Sequence, residues 1–214
     1  RHVCLVFEPL ATSLRGLMQA VGGQGLLVSD IQGITAQLLG CLSFLHAAGF
    51  AHTDLKCTNL MLRSDSFDRV PHPRCPGAWA PRLHQACQVV VIDFGCATDP
   101  DKQGHMRVGA RHIRAPEVVL GLRWSFSADL WSLGCALNVL YTGDRLFPVH
   151  GDMEHLAAME HVLESRIPLK MSVGTAERIR TKGVVFDGSG QLAWPKCDPC
   201  GHVVENDERM ATVR

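Results

Sequence analysis

The chain has 214 residues, which suits one domain or one large lobe of a bigger domain. Hydrophobic residues make up 46% and charged residues 20%, the balance of a globular protein with a sizeable core. Basic and acidic residues are equal at 21 each, which excludes both an acidic tail and the global basic bias of a direct nucleic-acid binder.

Residues 3 to 7, VCLVF, are apolar and rich in β-formers, and read as a strand stopped by Pro9. A short helix is expected around positions 14 to 20, ended by Gly22 and Gly23. Ser29 is placed to cap a long helix whose Ile31, Ile34, Leu38, Leu42 and Leu45 share one face, with Gly49 as its stop. Residues 60 to 62 and 89 to 92 read as short buried strands. Between them, residues 63 to 88 carry Pro71, Pro73, Pro76 and Pro81, so an exposed insertion without long regular structure is expected. Residues 93 to 117 show no periodicity and read as a long loop. Residues 127 to 141 are apolar nearly all round and read as a buried helix, and 154 to 163 as an amphipathic one. From Thr175 onward the signals are weak.

Two apolar stretches invite a membrane reading. Residues 31 to 48 contain Gln32 and Gln37, and residues 130 to 143 fall short of the roughly 20 positions a span needs. Both read as core helices, so no membrane partner is expected. Nine cysteines, an odd number in no regular framework, fit a reducing compartment better than a secreted disulfide scaffold. The chain opens Arg-His with no signal peptide pattern and no initiator methionine, as a fragment or a chain beginning mid-domain would.

The chemistry concentrates in FAHTDLKCTNLML, residues 50 to 62. His52, Asp54, Lys56 and Asn59 follow the spacing H-x-D-x-K-x-x-N. Then come Asp93-Phe94-Gly95, Ala115-Pro116-Glu117, and Asp129-Leu130-Trp131-Ser132-Leu133-Gly134. Each motif alone is weak; D-F-G by itself reads as a turn at a strand end. The ordered set, with a strand before Asp93 and a buried helix carrying Asp129, is a protein-kinase pattern.

The chain resembles the C-terminal lobe of a eukaryotic protein kinase over residues 2 to about 195. EHLAAMEHVL at 154 to 163 resembles the block that names the LAMMER kinases, the CDC-like dual-specificity group. His-Thr-Asp at 52 to 54 and RHIRAPEVVLGLRWS at 111 to 125 are similar to that group's pattern. The fold implied is α+β: a mostly helical kinase C-lobe with short β-hairpins and no N-lobe. In that division residues 1–10 are the last N-lobe strand and hinge, and 11–195 the C-lobe, with 63–88 its insertion and 93–117 its activation segment. Residues 196–214 are an incomplete tail.

The resemblance implies ATP and Mg²⁺ as cofactors and transfer of the γ-phosphate to Ser/Thr, or Tyr, hydroxyls of protein substrates. Because the transition state is loose, such an enzyme mainly positions groups and neutralises charge. By resemblance Asp54 orients the hydroxyl and accepts its proton, and Lys56 is a point charge against the γ-phosphate. Asn59 and Asp93 supply hard oxygen ligands to Mg²⁺, with Gly95 giving a tight backbone turn beside Asp93. His52 packs behind the loop, and Asp129 anchors the loop's backbone. Phe7 matches the gatekeeper, Glu8 to Leu10 the hinge, and Met61 the apolar floor under adenine. Pro9 lacks an N–H, which is compatible with a hinge that uses the Glu8 carbonyl and the Leu10 N–H. The same resemblance implies Ser/Arg-rich splicing factors as substrates and a nuclear location.

Several positions depart from the family pattern. No Gly-rich loop and no strand lysine paired with a helix glutamate are found, and no arginine is evident to pair with Glu117. Ala110 stands where a threonine would bond the catalytic aspartate and lysine; Ile113 stands for a tyrosine and Cys57 for a proline. These imply reduced chemistry, and the alternative is a catalytically impaired pseudokinase or truncated scaffold lobe. Thr98 is the only hydroxyl between Asp93 and Glu117, and Thr53 replaces the arginine that would pair with an activation-loop phosphate, so no phosphorylation switch is expected there. Arg111 and Arg114 read equally as an anion site or a solvated basic turn. Cys197, Cys200 and His202 read as a turn with incidental thiols rather than as half of a zinc site.

Overall fold

A computed structural model describes residues 2–64, 66–84, 87–175 and 183–194. Helix α1 (Leu14–Ala20) starts at Ser13, whose hydroxyl accepts the Gly16 N–H at 3.0 Å, and buries Leu14, Leu17 and Met18. Gly22 and Gly23 follow it with φ of 96° and 77°, as expected of a glycine stop.

Helix α2 (Val28–Ala47) buries Ile34, Leu38 and Leu42 against α5 and β4, described below. Its start differs from expectation. The capping residue is Leu27, with no side-chain cap, and Ser29 lies inside the first turn. Packing decides the boundary: Leu26 and Leu27 are buried, and the Leu26 N–H donates to the Leu140 carbonyl at 2.6 Å. Each fully buried leucine contributes about 1.5–3 kcal/mol, against about 1 kcal/mol for a hydroxyl cap. By length and composition α2 is apolar enough to span a membrane. Its polar residues nonetheless serve tertiary contacts: Asp30 accepts the Leu83 N–H at 3.0 Å and Gln37 accepts the Val89 N–H at 2.9 Å.

Strands β1 (Leu60–Leu62) and β4 (Val89–Val91) pair antiparallel, with Leu60 opposite Val91 and Leu62 opposite Val89. The intervening insertion, expected to lack long regular structure, holds two short strands. Strands β2 (Phe67–Pro71) and β3 (Trp79–Leu83) form a second antiparallel ribbon in which Pro71 faces Trp79 and Pro81 faces Arg69. A two-stranded ribbon has only edge strands, where proline is tolerated. The ribbon is fastened down by Arg74, whose guanidinium donates to the Leu26 and Tyr141 carbonyls at 3.1 and 2.7 Å and stacks on the Tyr141 ring.

The segment from 93 to 117 also has more structure than its lack of periodicity implied. It holds 3₁₀ turns at Phe94–Cys96 and Arg111–Ile113, helix α3 (Pro100–Gln103) and the first two residues of helix α4 (Pro116–Val119). Helix α5 (Ser127–Thr142) buries one broad face, Asp129 included, while Leu130 and Tyr141 are half exposed, so it is apolar all round without being buried all round. It ends on Gly143 at φ 89°, where a Cβ would lie 1.8 Å from the Gly23 carbonyl oxygen; only glycine allows this approach. Helices α6 (Asp152–Leu163) and α7 (Leu169–Gly174) complete the second half of the core, centred on Phe147, Met153, Leu156 and Met159.

Residues 3 to 7 do not form the expected strand. Val3, Val6 and Phe7 are 95%, 93% and 80% exposed. A strand needs a hydrogen-bonded neighbour, and among the described residues neither ribbon pairs with them. The Cys197, Cys200 and His202 motif and the tail from 196 lie outside the described residues.

Candidate active site

The turn after α2 is organised by one buried carboxylate. Asp129, in the first turn of α5 and 0% exposed, accepts the backbone N–H groups of His52 and Thr53, each at 2.8 Å, and contacts His46 Nε2 at 2.9 Å. Thr53 has φ 67°, a left-handed conformation that costs a β-branched residue of order 1–3 kcal/mol. The paired bonds to Asp129 hold it there, and its hydroxyl donates to the Cys96 carbonyl at 2.9 Å. Ala51 and Thr98 exchange two backbone bonds, each 2.9 Å, tying this turn to the stretch after D-F-G.

His52 is fully buried. The Asp54 N–H donates to its Nδ1 at 3.2 Å, so Nδ1 is the acceptor nitrogen and Nε2 carries the proton that meets the Ile92 carbonyl at 3.1 Å. Phe94 packs edge-on against the ring at 5.1 Å. The histidine therefore links the turn to the residue preceding Asp93.

Three of the expected site residues are hydrogen-bonded together. Lys56 Nζ donates to Asp54 Oδ2 at 2.6 Å. Asn59 Nδ2 donates to the Asp54 carbonyl at 2.9 Å and to Oδ2 at 3.3 Å. Both contacts fix the amide's orientation and leave Asn59 Oδ1 as its free acceptor. Asp54 Oδ1 likewise has no hydrogen-bond partner among the described residues.

The fourth residue, Asp93, is brought in by the hairpin. The Ile92 N–H donates to the Asn59 carbonyl at 3.0 Å, one rung beyond the β1–β4 register, so Asp93 follows directly on the residue bonded to Asn59. Asp93 has φ 65° and an exposed side chain. The tight turn expected at Gly95 is thus made at Asp93 itself. At Gly95 an added Cβ would meet only Asp93 Oδ1, at 3.3 Å, the tip of an exposed side chain.

Among the described residues no three His, Cys, Asp or Glu side chains gather as a metal cluster. What Asn59 Oδ1 and the Asp93 carboxylate offer is a pair of hard oxygen donors, a set that fits Mg²⁺, which keeps several waters and binds through one or two protein groups plus phosphates.

The expected adenine contacts are less assembled. Residues 11 to 13 run along β1, with the Ala11 N–H donating to the Leu62 carbonyl at 2.9 Å and Ser13 bridging to Met61. Glu8 pairs with Arg63, and Leu10 and Met61 are half-buried. Phe7, at 80% exposed, stands away from the core.

Residues 107 to 111 are held by a carboxylate that sequence reasoning missed. Asp152, the first residue of α6, takes both terminal nitrogens of Arg107 at 2.9 and 2.6 Å and Arg111 at 2.7 Å. Burial would raise its carboxyl, but the hydrogen bonds and charge of Arg107 and then Arg111 hold it below the usual carboxylate range. Arg114 donates to the Val108 and Gly109 carbonyls at 3.1 and 2.8 Å. Neither Arg111 nor Arg114 is the solvated turn or open anion site that the sequence left as alternatives. Only an acid in a helix's first turn was legible at 152, and that signal does not reveal partners 41 and 45 residues away.

Other departures have visible surroundings. Cys57 is buried and its thiol is pushed up to about 12 by burial. Ile113 is buried and donates its N–H to the Ala110 carbonyl at 3.1 Å, while the Ala110 methyl packs against the same apolar cluster. Glu117 forms no ion pair among the described residues, and burial raises its carboxyl.

The protein kinase domain model matches residues 1–187. This chain belongs to the protein kinase family. Its relatives include the serine/threonine-protein kinase AFC2 of Arabidopsis thaliana, 35% identical over 91% of this chain and 45% of that protein. The dual specificity protein kinase lkh1 of Schizosaccharomyces pombe is 34% identical over 91% of this chain and 27% of its own length. The human dual specificity protein kinase CLK1 is 34% identical over 83% and 36%. These are LAMMER-type kinases, in agreement with the reading of residues 154 to 163. The kinase chain spans less than half the length of these curated relatives. A crystal structure of a kinase domain superposes with TM-score 0.81 at 32% identity, covering 97% of this chain and 60% of that one.

Proposed function

We propose that this lobe carries the phosphoryl-transfer machinery of a LAMMER-type protein kinase, moving the γ-phosphate of ATP to Ser/Thr, or Tyr, hydroxyls of protein substrates. The observation that carries the reading is the joined set of Asp54, Lys56 and Asn59, with Asp54 hydrogen-bonded to both Lys56 and Asn59, and the Asn59 carbonyl accepting the N–H of Ile92, the residue before Asp93.

The substrate hydroxyl faces Asp54 Oδ1, since Oδ2 is occupied by Lys56 and Asn59. The hydroxyl oxygen bonds to the γ-phosphorus as the bond to the bridging oxygen breaks; its proton passes to Asp54 and ADP leaves. Lys56 exchanges its contact with Asp54 for the charge growing on the γ-oxygens. Asn59 Oδ1 and Asp93 are the groups that would hold Mg²⁺, which when bound neutralises the phosphate oxygens. Glu8, Leu10 and Met61, with Phe7 folded in, would face the adenine. By family resemblance, Ser/Arg-rich splicing factors are the reference substrates to assay and the nucleus is the place to look.

The second reading, an impaired or scaffolding lobe, is favoured by Ala110, which offers Asp54 and Lys56 no hydroxyl, and by the exposed residues 3 to 7. The test is radiolabelled phosphate transfer to protein substrates by the protein and its Asp54→Asn variant. Transfer that falls with the variant supports the kinase; no transfer from either, with partner binding intact, supports the scaffold.

A further inference from the structure

Beside the catalytic turn, a hollow of about 290 Å³ opens between α1, residues 56 to 58, the turn at 112 and 113, and α5 with its exit. Four of its lining residues are basic: Arg15, Lys56, His112 and Arg145. No aspartate or glutamate lines it. Lys56 is balanced by Asp54, but Arg15 and Arg145 enter no ion pair among the described residues. Arg15 is held in place by donating to the Gly143 carbonyl at 3.1 Å. Burial first, and then Arg145 and Lys56, push His112 below its ordinary value against the opposite pull of Asp54. Cys57 and Val139 give the hollow an apolar side, and Thr58 contributes a hydroxyl but no charge.

We propose that this hollow receives an anionic side chain of the protein substrate, a carboxylate or a phosphate already in place, on a residue close to the hydroxyl that faces Asp54. The proposal rests on the kinase reading and names the substrate class for it. Lys56 belongs to both places: it bonds Asp54 and lines the hollow. An extended peptide advances about 3.3 Å per residue, so a neighbour one to three positions from the acceptor covers the length of a lysine side chain. Guanidinium groups match carboxylate and phosphate oxygens in paired hydrogen bonds. The same two unbalanced arginines repel an arginine-rich peptide, and specificity is a difference built from both effects. The charge preference is therefore opposite to that of the Ser/Arg-rich substrates implied by family resemblance.

The test compares serine peptides flanked by glutamate, phosphoserine, alanine or arginine, with the protein and an Arg15→Glu/Arg145→Glu variant. Transfer is read as kcat/KM, and binding of the phosphoserine peptide by fluorescence anisotropy. The expected result is at least tenfold higher kcat/KM for the anionic peptides than for the arginine peptide, reversed in the variant, with the alanine peptide changed less than about threefold. A larger gain from phosphoserine than from glutamate identifies a primed substrate; equal gains identify an acidic one. Preference for the arginine peptide, or an anion preference that survives both charge reversals, overturns the proposal. If no peptide is phosphorylated, arginine-dependent binding of the phosphoserine peptide upholds the hollow while the kinase reading fails; absence of that binding overturns the hollow as well.

Discussion

Two stretches of this chain carry equally familiar kinase residues, yet they are held in opposite ways. In the turn after α2, His52 and Thr53 are 0% and 3% exposed, and Asp129 takes both backbone N–H groups. In residues 2 to 10, Val3 and Phe7 are 95% and 80% exposed. That turn lies between α2 and α5, and its strained backbone is held by Asp129 of α5, by Ile92 and by the Cys96 and Thr98 backbone. The stretch before Leu10 has apolar β-forming residues but no neighbouring strand to pair with among the described residues. Residues 50 to 59 are thus fixed by packing and hydrogen bonds within the described residues, whereas residues 2 to 9 stay exposed.

The contrast can be broken at its strong end first. Asp54→Asn should lower phosphate transfer by about 10²- to 10⁴-fold, the usual range for loss of a positioned general base, with circular dichroism unchanged. Loss of activity together with loss of fold would show that Asp54 is structural. Asp129→Ala should destabilise the protein by about 3 kcal/mol in urea unfolding, because two buried N–H groups lose their acceptor and Thr53 loses what holds its left-handed backbone. An effect under about 1 kcal/mol would mean that the turn holds itself.

How much of this was legible in the sequence follows the same divide. H-x-D-x-K-x-x-N works within eight residues, so its spacing alone brings Asp54, Lys56 and Asn59 together. The β1–β4 hairpin that brings in Asp93 was readable as two short apolar runs. Asp129 could be expected to anchor the turn because it sits in a motif of its own. The Leu27 start of α2 was not legible, since burial of Leu26 and Leu27, with Leu26 bonded to Leu140 of α5, outweighs the cap that Ser29 offers. The β2–β3 ribbon was hidden because prolines signal irregular chain unless one knows the strand is an edge. The Asp152 clamp depends on a contact between distant segments, and no local pattern announces it.

Smaller effects sharpen the contrast. Asp152→Ala should cost about 1–3 kcal/mol and loosen residues 107 to 111, read by urea unfolding and hydrogen exchange. The Asp152 carboxyl is held down in the folded protein, so its contribution is present above the unfolded value near 3.9 and is lost as pH falls through its lower folded value. The difference from Asp152→Asn should therefore shrink below about pH 4. Glu117 has the opposite sign: burial raises its carboxyl, so its ionisation opposes folding as pH rises. Glu117→Gln should raise Tm at pH 7, a gain that disappears below about pH 4. A fall in Tm would reveal a partner for the ionised carboxylate. Phe7→Ala, at the exposed end of the contrast, should change stability by less than about 0.5 kcal/mol.

The most direct measurement is a crystal structure of the protein with Mg²⁺ and a non-hydrolysable ATP analogue. The predicted result is one cation within about 2.0–2.2 Å of both Asn59 Oδ1 and an Asp93 oxygen, with Asp54 Oδ1 open toward the γ-phosphate. A nucleotide bound with its metal elsewhere, or Asp54 and Asp93 turned to separate surfaces, would contradict the phosphotransfer assignment.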